Sequence, residues 1–111
     1  MAVVIFLCLN RGFKEIFVFG ADHSWHEQFA IDENNHLLRR DIHFYDEKEV
    51  KHTTIIDVVH NQTSSMSQQF ASLSKAFYSY EVLQEYSQYL NTKIYNASAK
   101  SYIDAFERIR L

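Results

Sequence analysis

The stretch EIFVF, residues 15–19, decides the predicted fold. It is rich in β-branched and aromatic side chains without polar alternation, a pattern typical of a strand covered on both faces, as in a parallel sheet. Gly20 follows directly and ends the strand. A second short strand is predicted in KIYNAS, residues 93–98, which leaves through asparagine and serine. The sequence therefore predicts two strands that are parallel neighbours.

The segment before the first strand has the composition of a helix. Residues 2–11, AVVIFLCLNR, are apolar almost all round, which predicts a buried helix. Gly12 stands where a left-handed C-cap belongs, and Phe13 can then fold back on the last turn.

A long amphipathic helix is predicted before the second strand. From about Ser65 to Leu90 the apolar residues recur at spacings of three and four, apart from one gap of seven, and Ser64 or Ser65 can cap the start. A final short helix is expected around Tyr102, Ile103 and Phe106. Within it, Asp104 and Arg108 have the i,i+4 spacing of a surface ion pair.

The segment between the first strand and the long helix predicts a small β-excursion. Two apolar stretches in residues 29–45 flank Asp32-Glu33-Asn34-Asn35, whose side chains tolerate the left-handed backbone of a hairpin turn. Residues 46–64 are polar and unperiodic apart from TIIDVV, so they are interpreted as loop.

The order of these elements predicts the α/β class, as a partial Rossmann-like, doubly wound parallel sheet with a small β-hairpin excursion. Two central strands make a very small sheet, whereas a doubly wound domain usually has about five or six. We therefore expect residues 1–111 to form a single domain. This domain is expected to be the C-terminal half of a larger domain, or to pair with another chain.

Composition excludes several classes of function. The chain has 111 residues, of which 47% are hydrophobic, and its formal net charge is −3. Because its basic residues form no patch in the sequence, we expect small-molecule or protein partners and no nucleic acid. The single cysteine, Cys8, excludes an internal disulfide and is expected to be a buried thiol in a reducing, cytoplasmic compartment. The apolar start is too short for a membrane span.

Candidate site residues follow both predicted strands. In open parallel sheets, ligands bind beyond the carboxyl ends of the strands, where loops converge. Two residues of the excursion are expected to fold over that edge. The candidates are Asp22, His23, Ser24, Trp25 and His26 after the first strand, Asn96 and Ser98 after the second, and His43 and Tyr45 from the excursion.

Each candidate has a structural alternative. Asp22 can serve as a turn cap, and Trp25 can stack on a sugar or base or simply fill the loop. His43 can act as a general base near neutral pH, or pack as a structural histidine among aromatic residues. His23 and His26 are three apart, but no third ligand has a fixed spacing, so no metal site is predicted.

Three stretches together resemble a known family. GFKEIFVFGADHSW (12–25), DIHFYDE (41–47) and KIYNASAKSYIDAFERI (93–109) are similar to the C-terminal half of bacterial glycosyltransferase-like proteins. These form the group around the 6-hydroxymethylpterin diphosphokinase-like and motility-accessory-factor proteins, with the bacterial sialyltransferases as more distant relatives. The resemblance covers nearly the whole chain.

The resemblance implies a Rossmann-like transferase domain that binds a nucleotide-sugar donor and a glycan acceptor in surface-glycan biosynthesis. By analogy, Asp22 and Ser24 line the donor pocket, Asn96 and Ser98 approach the nucleotide or sugar, and His43 is the base. The family's N-terminal half supplies a glycine-rich start of the nucleotide site, and these 111 residues have no glycine-rich loop. The resemblance therefore implies descent from a glycosyltransferase without implying catalysis by this chain alone.

Two other functions stay open at this point. Pyrophosphoryl transfer to a pterin needs carboxylates for Mg²⁺, which Asp22, Asp41 and Asp46 can supply, although their spacing is not diagnostic. A non-catalytic remnant or interaction module is the other alternative. Whatever its function, the isolated chain is expected to be marginally stable and to self-associate or pair with a missing N-terminal half, because part of its small core is expected to be shared with missing strands.

Overall fold

A computed structural model describes residues 1–41 and 51–111. The chain divides into two compact units, residues 1–23 with 74–111, and residues 24–73. The helices are α1 (Ala2–Asn10) and α2 (Met66–Tyr89). The strands are β1 (Glu15–Val18), β2 (Phe29–Ile31), β3 (Leu37–Asp41), β4 (Lys51–Thr54), β5 (Ile56–Asp57), β6 (Gln62–Thr63), β7 (Lys93–Asn96) and β8 (Glu107–Arg108).

The first unit contains a small parallel sheet. β1 pairs with β7 in parallel over its whole length, from Glu15 opposite Lys93 to Val18 opposite Asn96. β8 adds a third parallel strand on the other side of β7, so the order is β1-β7-β8. The predicted parallel pairing of the first two strands is confirmed, and the architecture is that of a mixed α/β protein.

One face of this sheet carries the core and the other face is open. Val18 and Ile94 are 4% and 2% exposed on the inner face. On the outer face the Phe17 and Tyr95 rings stack with centroids 5.3 Å apart, and Phe17 is 41% exposed. The prediction that the first strand is covered on both faces was therefore wrong, because its aromatic residues cover one another instead of lying under a helix.

The two helices supply four more buried residues of the core of the first unit. Ile5 and Leu9 of α1 are buried in the same cluster as Tyr80 and Leu83 of α2. The opposite side of α1 is solvent-exposed, with Val3 at 70%, so the prediction of a fully buried helix was wrong. Within the described ranges, neither helix combines the length and hydrophobicity needed to cross a bilayer.

The ends of both helices follow the predicted capping chemistry. Gly12 has a φ of +81°, the left-handed conformation expected of a C-cap residue. At the start of α2, the Gln68 backbone N–H donates to the Ser65 hydroxyl at 3.2 Å, and the Ser65 N–H donates to Gln68 Oε1 at 2.8 Å. This reciprocal pair is a capping box, and it confirms the predicted start of the long helix.

The second unit contains the predicted hairpin. β2 and β3 pair antiparallel, and at the turn Asp32 Oδ1 accepts the N–H groups of Asn34 at 2.9 Å and His36 at 2.8 Å. Asn35 has a φ of +61°, the backbone conformation that Asn tolerates. These hydrogen bonds, first of all that from the His36 backbone, stabilise the charged carboxylate of Asp32 over its protonated form. They therefore lower the pKa of Asp32.

Two stretches were wrongly predicted as loop and helix. Residues 51–54 form β4, which extends the hairpin by pairing with β3, and 56–57 pair with 62–63. Near the C-terminus, Ile103 and Phe106 are buried, but they lie in irregular chain that leads into β8 instead of the predicted helix. The Asn96 and Ser101 side chains hydrogen-bond the backbone of Ile103, so side-chain bonds replace those of a helix.

A pair of leucines in α1 tests the assignment of its buried side. Leu9 is 2% exposed and Leu7 is 55% exposed. Because Leu9→Ala leaves a cavity in the core, we expect it to lower the free energy of unfolding by about 2–5 kcal/mol, measured by urea denaturation. The matched Leu7→Ala change is expected to stay within about 0.5 kcal/mol. Equal losses in the two variants would contradict this orientation of α1.

Candidate functional site

The carboxyl end of β7 is held by the side chain of Asn96, which is 0% exposed. Its Nδ2 donates to the Ser101 hydroxyl and to the Ile103 carbonyl, both at 3.0 Å. Its Oδ1 accepts the Ser98 N–H at 3.1 Å. Both ends of the amide are therefore bonded to the segment between β7 and β8.

Two serines connect this segment to the end of β1. The Ala21 N–H donates to the Ser98 hydroxyl at 3.1 Å, and the Ser101 hydroxyl donates to the Ala21 carbonyl. The Tyr102 N–H donates to the Asp22 carbonyl at 2.8 Å. The chain segments after β1 and β7 are thus joined at one edge of the sheet, as the parallel topology predicts.

Arg108 lies beside this network. Its Nη2 donates to the Ser98 carbonyl at 2.8 Å and to the Ala99 carbonyl at 3.3 Å, and Nη1 donates to the Ser101 carbonyl at 3.3 Å. These acceptors are neutral carbonyl oxygens, so none of these hydrogen bonds offsets the positive charge of the guanidinium. The predicted ion pair with Asp104 does not form among the described residues, because the guanidinium turns to these carbonyls.

A cleft of about 640 Å³ opens beyond the carboxyl ends of β7 and β8. Its lining is polar on balance and includes two arginines, Arg108 and Arg110, and none of the described residues that line it is acidic. The lining residues are Ala97, Ser98, Ala99, Arg108, Ile109, Arg110 and Leu111. A cleft with this lining is suited to an anion, because guanidinium groups bind carboxylates and phosphates with paired N–H donors.

The residues predicted to form one pocket belong to both units and to the residues outside the described ranges. Asn96 and Ser98 lie together, but both are buried and hydrogen-bonded within the first unit. Asp22 is exposed at the end of the same unit's first segment. Two more of these residues, Ser24 and Trp25, lie in the second unit. Ser24 precedes a short 3₁₀ helix, and Trp25 is the first residue of that helix. His43 and Tyr45 lie outside the described residues, so the predicted pocket stays a prediction.

His23 faces the core of the first unit. It is 8% exposed, and its Nε2 shares a hydrogen bond with the Tyr80 hydroxyl. The Phe77 ring lies edge-on to the imidazole at a centroid distance of 6.2 Å. Burial lowers the pKa of His23, an effect that the nearby Asp22 carboxylate partly opposes, and burial raises the pKa of Tyr80.

A metal site is not apparent in the described part of the chain, where no three His, Cys, Asp or Glu residues form a cluster that could hold an ion. His23 is bonded to Tyr80 instead. Of the carboxylates considered for Mg²⁺, Asp46 and the side chain of Asp41 lie outside the described residues.

Neither arginine of the cleft was predicted as a site residue from the sequence. Arg108 was assigned to a surface ion pair, and Arg110 was not considered. Arg108 was placed within the predicted final helix and Arg110 follows it, so the prediction gave no reason to expect either arginine at a strand end. The available signal was the stretch ERIRL, residues 107–111, in which basic and apolar residues alternate as in a strand.

Comparisons with known proteins return no match to a family model, to a curated protein or to a solved structure. The resemblance to glycosyltransferase-like proteins therefore stays a prediction that rests on the three sequence stretches.

The buried His23 makes stability depend on pH. Its folded pKa is lowered, so the unfolded chain binds the proton more tightly, and stability falls as pH drops below about 6.5. We expect the melting temperature to fall more for the wild type than for His23→Gln between about pH 7.5 and about pH 5.5. The exposed His52→Gln is the matched control. A fall as large in His23→Gln as in the wild type would contradict this account of His23.

Proposed function

We propose that the chain is a segment of a nucleotide-sugar-dependent glycosyltransferase-like protein of surface-glycan biosynthesis, and that its cleft binds the diphosphate of the donor. The observation that carries this proposal is the pair Arg108 and Arg110 in a cleft at the carboxyl ends of parallel strands, where the lining residues within 1–41 and 51–111 include no acidic side chain. Ligands of open α/β sheets bind at this edge.

The charge and position of Arg108 support a phosphate ligand. Its guanidinium is fixed by the carbonyl oxygens of Ser98, Ala99 and Ser101, so its orientation is set before a ligand arrives. A preorganised cation loses little side-chain entropy on binding, which favours recognition of a planar or tetrahedral anion. Arg110 is exposed in the same cleft and supplies a second positive charge.

The finer fold and the chemistry are part of this proposal. The three-stranded sheet is the C-terminal half of a Rossmann-like domain, and the other half supplies the glycine-rich part of the nucleotide site. His43 accepts the proton of the acceptor hydroxyl, in the role that the family resemblance implies. The protein acts in the cytoplasm, where nucleotide-sugars are made, and the single Cys8 fits that location.

A non-catalytic interaction module is the second candidate function. It is supported by the internal hydrogen bonds of two candidate site residues. Asn96 bonds to Ser101 and Ile103. Ser98 bonds to Ala21. Side chains that are fully engaged in holding the fold have little capacity left for a substrate.

Uridine diphosphate is a suitable probe of the cleft. We expect it to bind the full chain, and Arg110→Gln to weaken binding about 10- to 100-fold, the usual effect of removing a charged hydrogen-bond partner. Isothermal titration at low salt measures both constants. Binding is expected to weaken as salt is added, because the partners are opposite charges near solvent.

Lys93→Gln is the matched control, because Lys93 is an exposed cation at the amino end of β7, away from the cleft. An equal loss in the two variants would mean that binding is non-specific, and absence of saturable binding would leave the interaction module as the better account.

A further inference from the structure

An exposed stripe runs along the outer side of α2. It consists of Lys75, Tyr78, Val82, Glu85 and Tyr89, all exposed. Their spacings alternate between three and four residues, the spacing of a seam that packs along another helix. Tyr78 is 62% exposed, Val82 45% and Tyr89 81%, so two aromatic rings and an aliphatic side chain of the stripe face water between and beside its two charged residues.

The stripe borders an apolar groove. The groove has a volume of about 420 Å³ and lies between α1 and α2 within the first unit. Val3 and Phe6 of α1 line it from one side, and Tyr78 and Val82 line it from the other. Val3 and Phe6 are 70% and 47% exposed, so the apolar surface continues from α2 onto α1.

The stripe is complementary to itself when two copies lie antiparallel. A two-fold axis at the level of Tyr80 places Lys75 opposite Glu85 of the second copy, and Glu85 opposite the second copy's Lys75. The same axis places the large Tyr78 opposite the small Val82. Unlike charges therefore meet at the ends, and a large side chain meets a small one near the centre, as a closed two-fold interface requires.

We propose that a second copy of this chain docks on the stripe, so that the protein forms a two-fold dimer through antiparallel α2 helices. The exposed parts of Val3, Phe6, Tyr78, Val82 and Tyr89 amount to roughly 600 Å² per copy, most of the ~800 Å² that each partner contributes to a standard interface. The stems of Lys75 and Glu85 add to this area. The Tyr78 ring of each copy lies beside the groove of the other.

Charge reversal on the stripe tests this dimer. Lys75→Glu places two carboxylates opposite each other at both ends of the interface, and Glu85→Lys places two ammonium groups there. We expect either change to weaken dimerisation about tenfold in sedimentation velocity over a concentration series. Glu81→Lys, an exposed change on the same helix but outside the stripe, is expected to leave the dimer unchanged.

The decisive sample is an equimolar mixture of the two single variants. A Lys75→Glu copy facing a Glu85→Lys copy has unlike charges at both ends again, so we expect the mixture to associate within about threefold of the wild type. The double variant that carries both Lys75→Glu and Glu85→Lys is expected to dimerise with an affinity within about threefold of the wild type as well. A wild type that stays monomeric at about 100 µM, or a dimer that both single reversals leave unchanged, would overturn the proposal.

Discussion

The side-chain amide of Asn96 is fully buried, and its bonds to Ser98, Ser101 and Ile103 have no water to replace them. A buried amide without partners costs about 1–3 kcal/mol, so these contacts favour one path of the chain after β7 over all others. That path brings the Ser98 hydroxyl to the Ala21 N–H and so joins the ends of β1 and β7. The geometry of the sheet edge depends on this amide.

The cleft is a consequence of the same constraint. The Ser98, Ala99 and Ser101 carbonyl groups accept hydrogen bonds from the Arg108 guanidinium, because the loop is held in one conformation. Two arginines then lie beyond the carboxyl ends of parallel strands, where an anionic ligand is bound in many α/β proteins. Asn96, Ser98 and Ser101 use their polar atoms to hold the fold. The positive charge in the cleft comes from Arg108 of β8 and from Arg110.

The local patterns predicted most of the elements, because each was set by neighbouring residues. The capping box at Ser65, the turn at Asn35 and the β-branched strand at 15–18 all depend on short-range chemistry. For β8 the local alternation in residues 107–111 could indicate a strand but not its partner, since its pairing with β7 depends on the path that the Asn96 amide fixes. The cleft was missed for the same reason, because it follows from where Arg108 pairs in the sheet.

Native-state hydrogen exchange of Asn96→Asp tests the central role of this amide. The change keeps the shape of the side chain but removes both donors, so we expect the amides of Ala21 and Ile103 to exchange about tenfold faster or more, with a lower melting temperature. Asn61→Asp, an exposed position with a φ of +50°, is the matched control. Unchanged protection at Ala21 and Ile103 in Asn96→Asp would contradict the claim that Asn96 holds the edge of the sheet.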